Sequence, residues 1–230
     1  MNAELARASA TPERVGLQLL QRGKIAAVAA VSIQTVLHLT NEFVLGDRIE
    51  SVDADVEGGI FTWASSAAVF AVAPAALVYA AAVPVRRRAF LFVAATAAFF
   101  SLDDTVQVHE RIALRVGENL LGLPDYAAVR LWLVFYLPLL ALMAAVLWTV
   151  ARDVWTPAGN AIRLGLVLLA LSIPAEVAGL VTRPLEEDGQ EAPNDLRVAV
   201  EEAFELGGWI VVATGVTAAV AVALMKFRHD

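Results

Sequence analysis

The chain has 230 residues, of which 59% are hydrophobic and 18% charged, with a formal net charge of −7. Soluble domains carry about 45–50% apolar residues, so this composition points to a polytopic membrane protein with room for about six spanning helices. There are no cysteines, so disulfides and thiolate ligands are excluded, and no basic stripe is present to meet a nucleic acid.

The first apolar run covers residues 24–46 and reads as a retained helix rather than a signal peptide, since no small-residue cleavage site follows it. Within it, Gln34, His38 and Glu42 recur four apart and form one polar stripe. The second run, 59–85, contains Pro74 and ends at the "RRR" of Arg86, Arg87 and Arg88. The third, 89–112, passes from "AFLFVAATAAFF" into "SLDDTVQVHER", which threads Asp103, Asp104, His109 and Glu110 onto an apolar helix. On a continuous helix Asp103, Gln107 and Glu110 share one face, with Asp104 and His109 to either side. The fourth and fifth runs, 126–151 and 161–183, carry Pro138 and Pro174, the latter two residues before Glu176 and placed to kink the helix there. The sixth, 198–225, opens with Glu201, Glu202 and Glu205 and then runs uncharged from Leu206 to Met225. Gly207 and Gly208 let this helix approach a neighbour closely. No linker, repeat or low-complexity segment interrupts the series. The expectation is a single all-α domain, a bundle of six transmembrane helices.

Lys and Arg in the loops set the orientation. With the N-terminus cytoplasmic, 11 of the 17 basic residues fall on the inner side, Arg86–Arg88 being the strongest signal. Both termini, including His229 in the tail, are then cytoplasmic. The acids sort oppositely: 20 of 24 fall on the outer side or in the outer half of a span. A bacterial-type cytoplasmic (inner) membrane, with the polar face toward the periplasm, is the expected setting.

At a rise of about 1.5 Å per residue, His38, Asp103, Asp104 and Glu176 share one depth, with Glu42, His109, Glu110 and the glutamates of the sixth span closer to the outer surface. Ionisable groups inside a span are costly, so these must share a hydrated cavity, hold protons, pair with arginines or bind a metal. Each alone has a plain structural reading: a histidine at a helix end is often a hydrogen-bonded interface residue, and Arg111, Arg130 or Arg183 can pair with the acids. Together, two imidazoles and several carboxylates from different helices are the donor stock of carboxylate-bridged di-iron or di-manganese sites, or of a mononuclear zinc, iron or manganese site. The usual paired Glu-x-x-His repeats are absent, and the acids disfavour a haem between His38 and His109.

The expected function is a membrane-embedded enzyme with a mono- or dinuclear divalent transition metal, hydrolysing or oxidising a lipid or lipid-like small molecule. His38, Glu42, Asp103, His109, Glu110 and Glu205 are the expected ligands. Asp104, Glu202 and Glu176 are the expected general bases or outer groups. The alternatives are a proton- or cation-coupled transporter with an acidic outward cavity, and a non-enzymatic receptor or assembly subunit. No sequence feature specifies an oligomeric state.

Overall fold

The structure is a computed structural model that describes residues 11–54, 59–187 and 192–227. The chain tails, His229 among them, and part of the acidic rim (Asp55, Glu57, Asp188 and Glu191) lie outside the described residues. Among the described residues the structure is helical throughout: α1 (Pro12–Thr40), α2 (Ile60–Ala82), α3 (Arg87–Val106), α4 (Val108–Val116), the short α5 (Asp125–Ala128), α6 (Trp132–Asp153), α7 (Thr156–Glu187) and α8 (Ala192–Phe227). Six of these, α1 to α3 and α6 to α8, are long and apolar enough to cross a membrane. Large apolar side chains such as Val28, Trp63 and Val134 face outward, as expected of a multi-pass membrane protein.

Local chemistry explains the element ends. The Thr11 hydroxyl accepts the Arg14 N–H at 3.3 Å, and Pro12 occupies the first turn of α1, where no backbone donor is needed. α1 runs on through a π-helical turn, Asn41–Leu45, which Gly46 closes in the left-handed conformation at φ 65°.

The third span departs from expectation. It was expected to run to residue 112, but α3 stops at Val106 because Gln107 adopts a left-handed backbone, φ 57° and ψ 37°, and α4 restarts behind it. The shared face of Asp103 and Glu110 therefore does not exist, since it required an unbroken helix. The fourth span covers Val129–Asp153, its first turn, Val129–Leu131, being 3-10.

Side-chain size decides the packing. A Cβ on Gly165 would sit 2.7 Å from the Gly208 carbonyl oxygen, and one on Gly208 would sit 2.7 Å from Leu169 Cγ. Only glycine permits this approach of α7 and α8, the small-residue mode by which helices associate in lipid. The core beside them is apolar and sealed, with Val72, Ala76, Val93, Ala97, Leu147, Ile162, Val212 and Val216 all essentially inaccessible. Two ion pairs mark the basic end of the bundle: Arg86 to Asp153 at 2.7 Å, and Lys226 to Glu13 at 2.9 Å. The second brings the start of α1 and the end of α8 to the same side. The acids gather at the opposite, polar end.

Candidate functional site

A cavity of about 740 Å³ opens among α2, α3, α4, α6, α7 and α8 at the polar end. Its deep part is apolar, built from Val69, Phe100, Leu140, Met143, Leu166 and Trp209. Its shallow part carries seven carboxylates (Asp103, Asp104, Glu110, Glu176, Glu201, Glu202 and Glu205) and three arginines (Arg130, Arg183 and Arg197). Seven of the nine residues expected to form the site thus line one cavity. His38 and Glu42 do not.

The left-handed turn at Gln107 builds the most defined group in the cavity. On a straight helix, residues six apart point about 120° away from each other and cannot touch. The break swings α4 round so that His109 Nδ1 lies 2.6 Å from Asp103 Oδ2. The Tyr136 hydroxyl donates to the other carboxylate oxygen, Oδ1, at 2.9 Å. The imidazole is also flanked edge-on by Trp132 and Tyr136, with ring centroids 5.3 and 5.6 Å away. With Asp103 accepting at Nδ1, the ring proton is assigned to Nδ1 and the Nε2 lone pair is left as an acceptor. Nε2 has no hydrogen-bond partner among the described residues. Asp103 is therefore an orienting group behind His109, and Tyr136, which the sequence did not single out, orients Asp103.

A carboxylate wall faces this group. Asp104 accepts the Ser66 hydroxyl, and Glu202 accepts the Gln34 side-chain amide at 3.3 Å. Glu205 lies within the electrostatic reach of Asp104 and Glu176. Glu110 also lines the cavity, from α4.

Arginines hold the remaining acids. Arg130 Nε donates to the Glu176 carbonyl at 3.0 Å and lies 3.7 Å from its carboxylate. Arg197 bonds Glu201, lies 3.5 Å from Glu176 and donates to Asn194 Oδ1 at 3.1 Å. Gly179 leaves the space that the Arg130 guanidinium fills. Arg130 was an expected salt-bridge partner; Arg197 was missed. Its signal was Glu201 one helical turn on, at i,i+4. Glu176 is thereby a paired structural acid.

His38 and Glu42 form a second cluster behind the cavity wall, with Asp53 from the connection to α2. Donor atoms of these three residues lie within 4.8 Å of one another, the one such trio among the described residues. His38 Nδ1 is 3.5 Å from Asp53 Oδ1 and 3.9 Å from Glu42 Oε1. The ring is nevertheless fully engaged. Its Nδ1 accepts the Ala54 N–H at 3.1 Å, so Nε2 carries the proton and donates to the Asp195 carbonyl at 3.2 Å. His38, only 1% exposed, thus ties the loop after α1 to the start of α8. Buried Asn41 organises the same loop, bonding Glu42, Asp47 and the Ile49 N–H.

Fold and site together define a multi-pass helical protein with a large amphipathic cavity at one end. The chain belongs to the family described as a domain of unknown function, DUF8692, which matches residues 19–224. No curated protein and no solved structure matches it.

Proposed function

We propose that the protein is an integral membrane enzyme that hydrolyses a lipid-like substrate, with His109 as its acid–base group. The observation that carries this reading is a carboxylate-oriented imidazole in the cavity lining whose Nε2 has no hydrogen-bond partner among the described residues, where an acidic rim meets an apolar chamber. A lipid-like amphiphile matches that division: its chain fills the apolar depth and its polar bond lies in the acidic layer. His109 Nε2 takes a proton from water as the water oxygen attacks an ester or amide carbonyl, then returns it to the leaving group. Asp103 and Tyr136 hold the ring in the required tautomer. The positive-inside distribution of Lys and Arg supports a cavity mouth at the outer face of a bacterial-type cytoplasmic membrane, with both termini inside.

A second form of the same reading has His109 Nε2 bind a divalent transition metal (zinc, iron or manganese) that activates the water. A carboxylate on the other ring nitrogen is the arrangement that orients histidine ligands, which favours it. Donor atoms of His109, Glu110 and Glu205 do not gather within 4.8 Å of one another, so this form requires Glu110 and Glu205 to close round the ion, with Asp104 and Glu202 as outer bases.

Protein reconstituted in nanodiscs and incubated with a membrane lipid extract is expected to release a new species by mass spectrometry. His109→Gln should lower that rate about 10²–10⁴-fold, and Asp103→Asn should lower it in the same direction. Equal product from wild type and His109→Gln overturns the assignment. Elemental analysis of the same samples separates the two forms: stoichiometric metal lost in His109→Gln supports the metal form, and metal-free active protein supports the direct form.

A further inference from the structure

We propose that the carboxylate wall of the cavity is a subsite for a protonated amine carried by the amphiphile. This rests on the reading that the cavity holds an amphiphile, and it names that molecule's chemistry. Seven carboxylates line the cavity against three arginines, but the imbalance is not spread evenly. Glu176 and Glu201 face Arg130 and Arg197, and Asp103 faces His109. On the remaining wall, Asp104 accepts the Ser66 hydroxyl and Glu202 accepts the Gln34 amide. Glu205 makes no hydrogen bond or ion pair with any described residue.

An independent feature points the same way. Ser65, only 2% exposed and part of the cavity lining, has a hydroxyl oxygen with no hydrogen-bond partner. Buried polar atoms in folded proteins are almost always satisfied, so an orphan at a cavity wall calls for a ligand atom. Beside acceptor-only carboxylates, the fitting ligand group is a donor with positive charge. An ammonium supplies three N–H donors and a positive charge to oxygens that accept. An anionic headgroup would face these acids directly, and the two guanidiniums of the network, Arg130 and Arg197, already serve Glu176 and Glu201. The apolar chamber behind the wall favours an ammonium on an alkyl chain over a bare inorganic cation.

The test is binding, with no turnover required. Full-length protein in nanodiscs is titrated calorimetrically with decylamine, decanol and decanoate, which share one chain and differ in head. The ammonium, charged at neutral pH, is expected to bind at least about tenfold tighter than the alcohol, and decanoate weakest. Glu205→Gln, nearly isosteric, should erase the amine preference while leaving decanol affinity unchanged. Ser65→Ala, which removes only the orphan hydroxyl, should narrow the preference several-fold. Equal affinity for amine and alcohol, or a preference that survives Glu205→Gln, overturns the proposal while leaving the cavity as an amphiphile site. So does displacement of decylamine by millimolar magnesium or calcium with no dependence on chain length, which marks an inorganic cation site. Failure of all three chains to bind removes the amphiphile cavity itself, and the enzyme reading with it.

Discussion

Replacing Arg197 with methionine tests whether the polar layer is held by charge pairing. Arg197 is 8% exposed and contacts Glu201, Glu176 and Asn194. Methionine keeps much of the bulk and removes the guanidinium, so the change reads charge more than volume. Removing one partner of a buried ion pair costs about 3–5 kcal/mol, because the other charge is left uncompensated. Glu176 retains Arg130 at 3.7 Å, so its loss is partial and the lower value, about 3 kcal/mol, applies. For a chain of this length that lowers the melting temperature by about 6–12 °C. Thermal unfolding in a mild detergent, followed by circular dichroism, measures it. Arg197→Met combined with Glu201→Gln should recover more than half of the loss, since no unpaired charge then remains at Glu201. If the single variant unfolds within about 1 °C of wild type, the network is solvent-screened and the reasoning fails.

Other expectations follow from single contacts. His38→Ala strands the buried Ala54 N–H, so it should cost about 1–3 kcal/mol, read by the same thermal assay, without changing metal content. Loss of a bound metal in that variant would make the His38, Glu42 and Asp53 trio a metal site instead. Gly179→Ala places a methyl group 2.6 Å from the Arg130 guanidinium carbon and should destabilise by about 1–3 kcal/mol through overpacking, whereas an unchanged melting curve would mean that Arg130 swings clear.

The six spans were legible because length and hydropathy report directly on them, and the gathering of acids at one end was legible from depth along each helix. Angle around each helix was not. Depth put His38 and His109 both in the outer half of their spans, yet His38 turns toward the connection after α1 and His109 into the cavity. A rise per residue says nothing about which neighbour a face meets until packing is known. The break at Gln107 was hidden for a different reason. No glycine or proline marks "DTVQVHE", and a left-handed backbone is uncommon for glutamine. What the turn gains is tertiary, the contact of His109 with Asp103 and Tyr136, and local propensity carries no trace of it. Arg197 was read as a topology signal when it is also the clasp of the acidic layer.

The cavity is one-sided for a reason that can be followed along α7 and α8. Toward the polar end these helices carry Glu176, Arg183, Glu201, Glu202 and Glu205, side chains too large and too polar for close helix contact, and the cavity lies among them. At Trp209 and Met143, 5% and 2% exposed, the lining turns apolar and closes. From there inward the helices meet through Gly165, Gly208 and Gly215, where an added Cβ would lie 2.6–2.8 Å from atoms of the facing helix. These contacts exist because no side chain stands between the backbones. A chamber polar at its mouth, apolar at its floor and sealed by glycine packing beneath is the geometry on which the proposed enzyme reading rests. Beneath the cavity the space between the helices is filled by Val72, Val93, Leu147, Val212 and Val216, all essentially inaccessible.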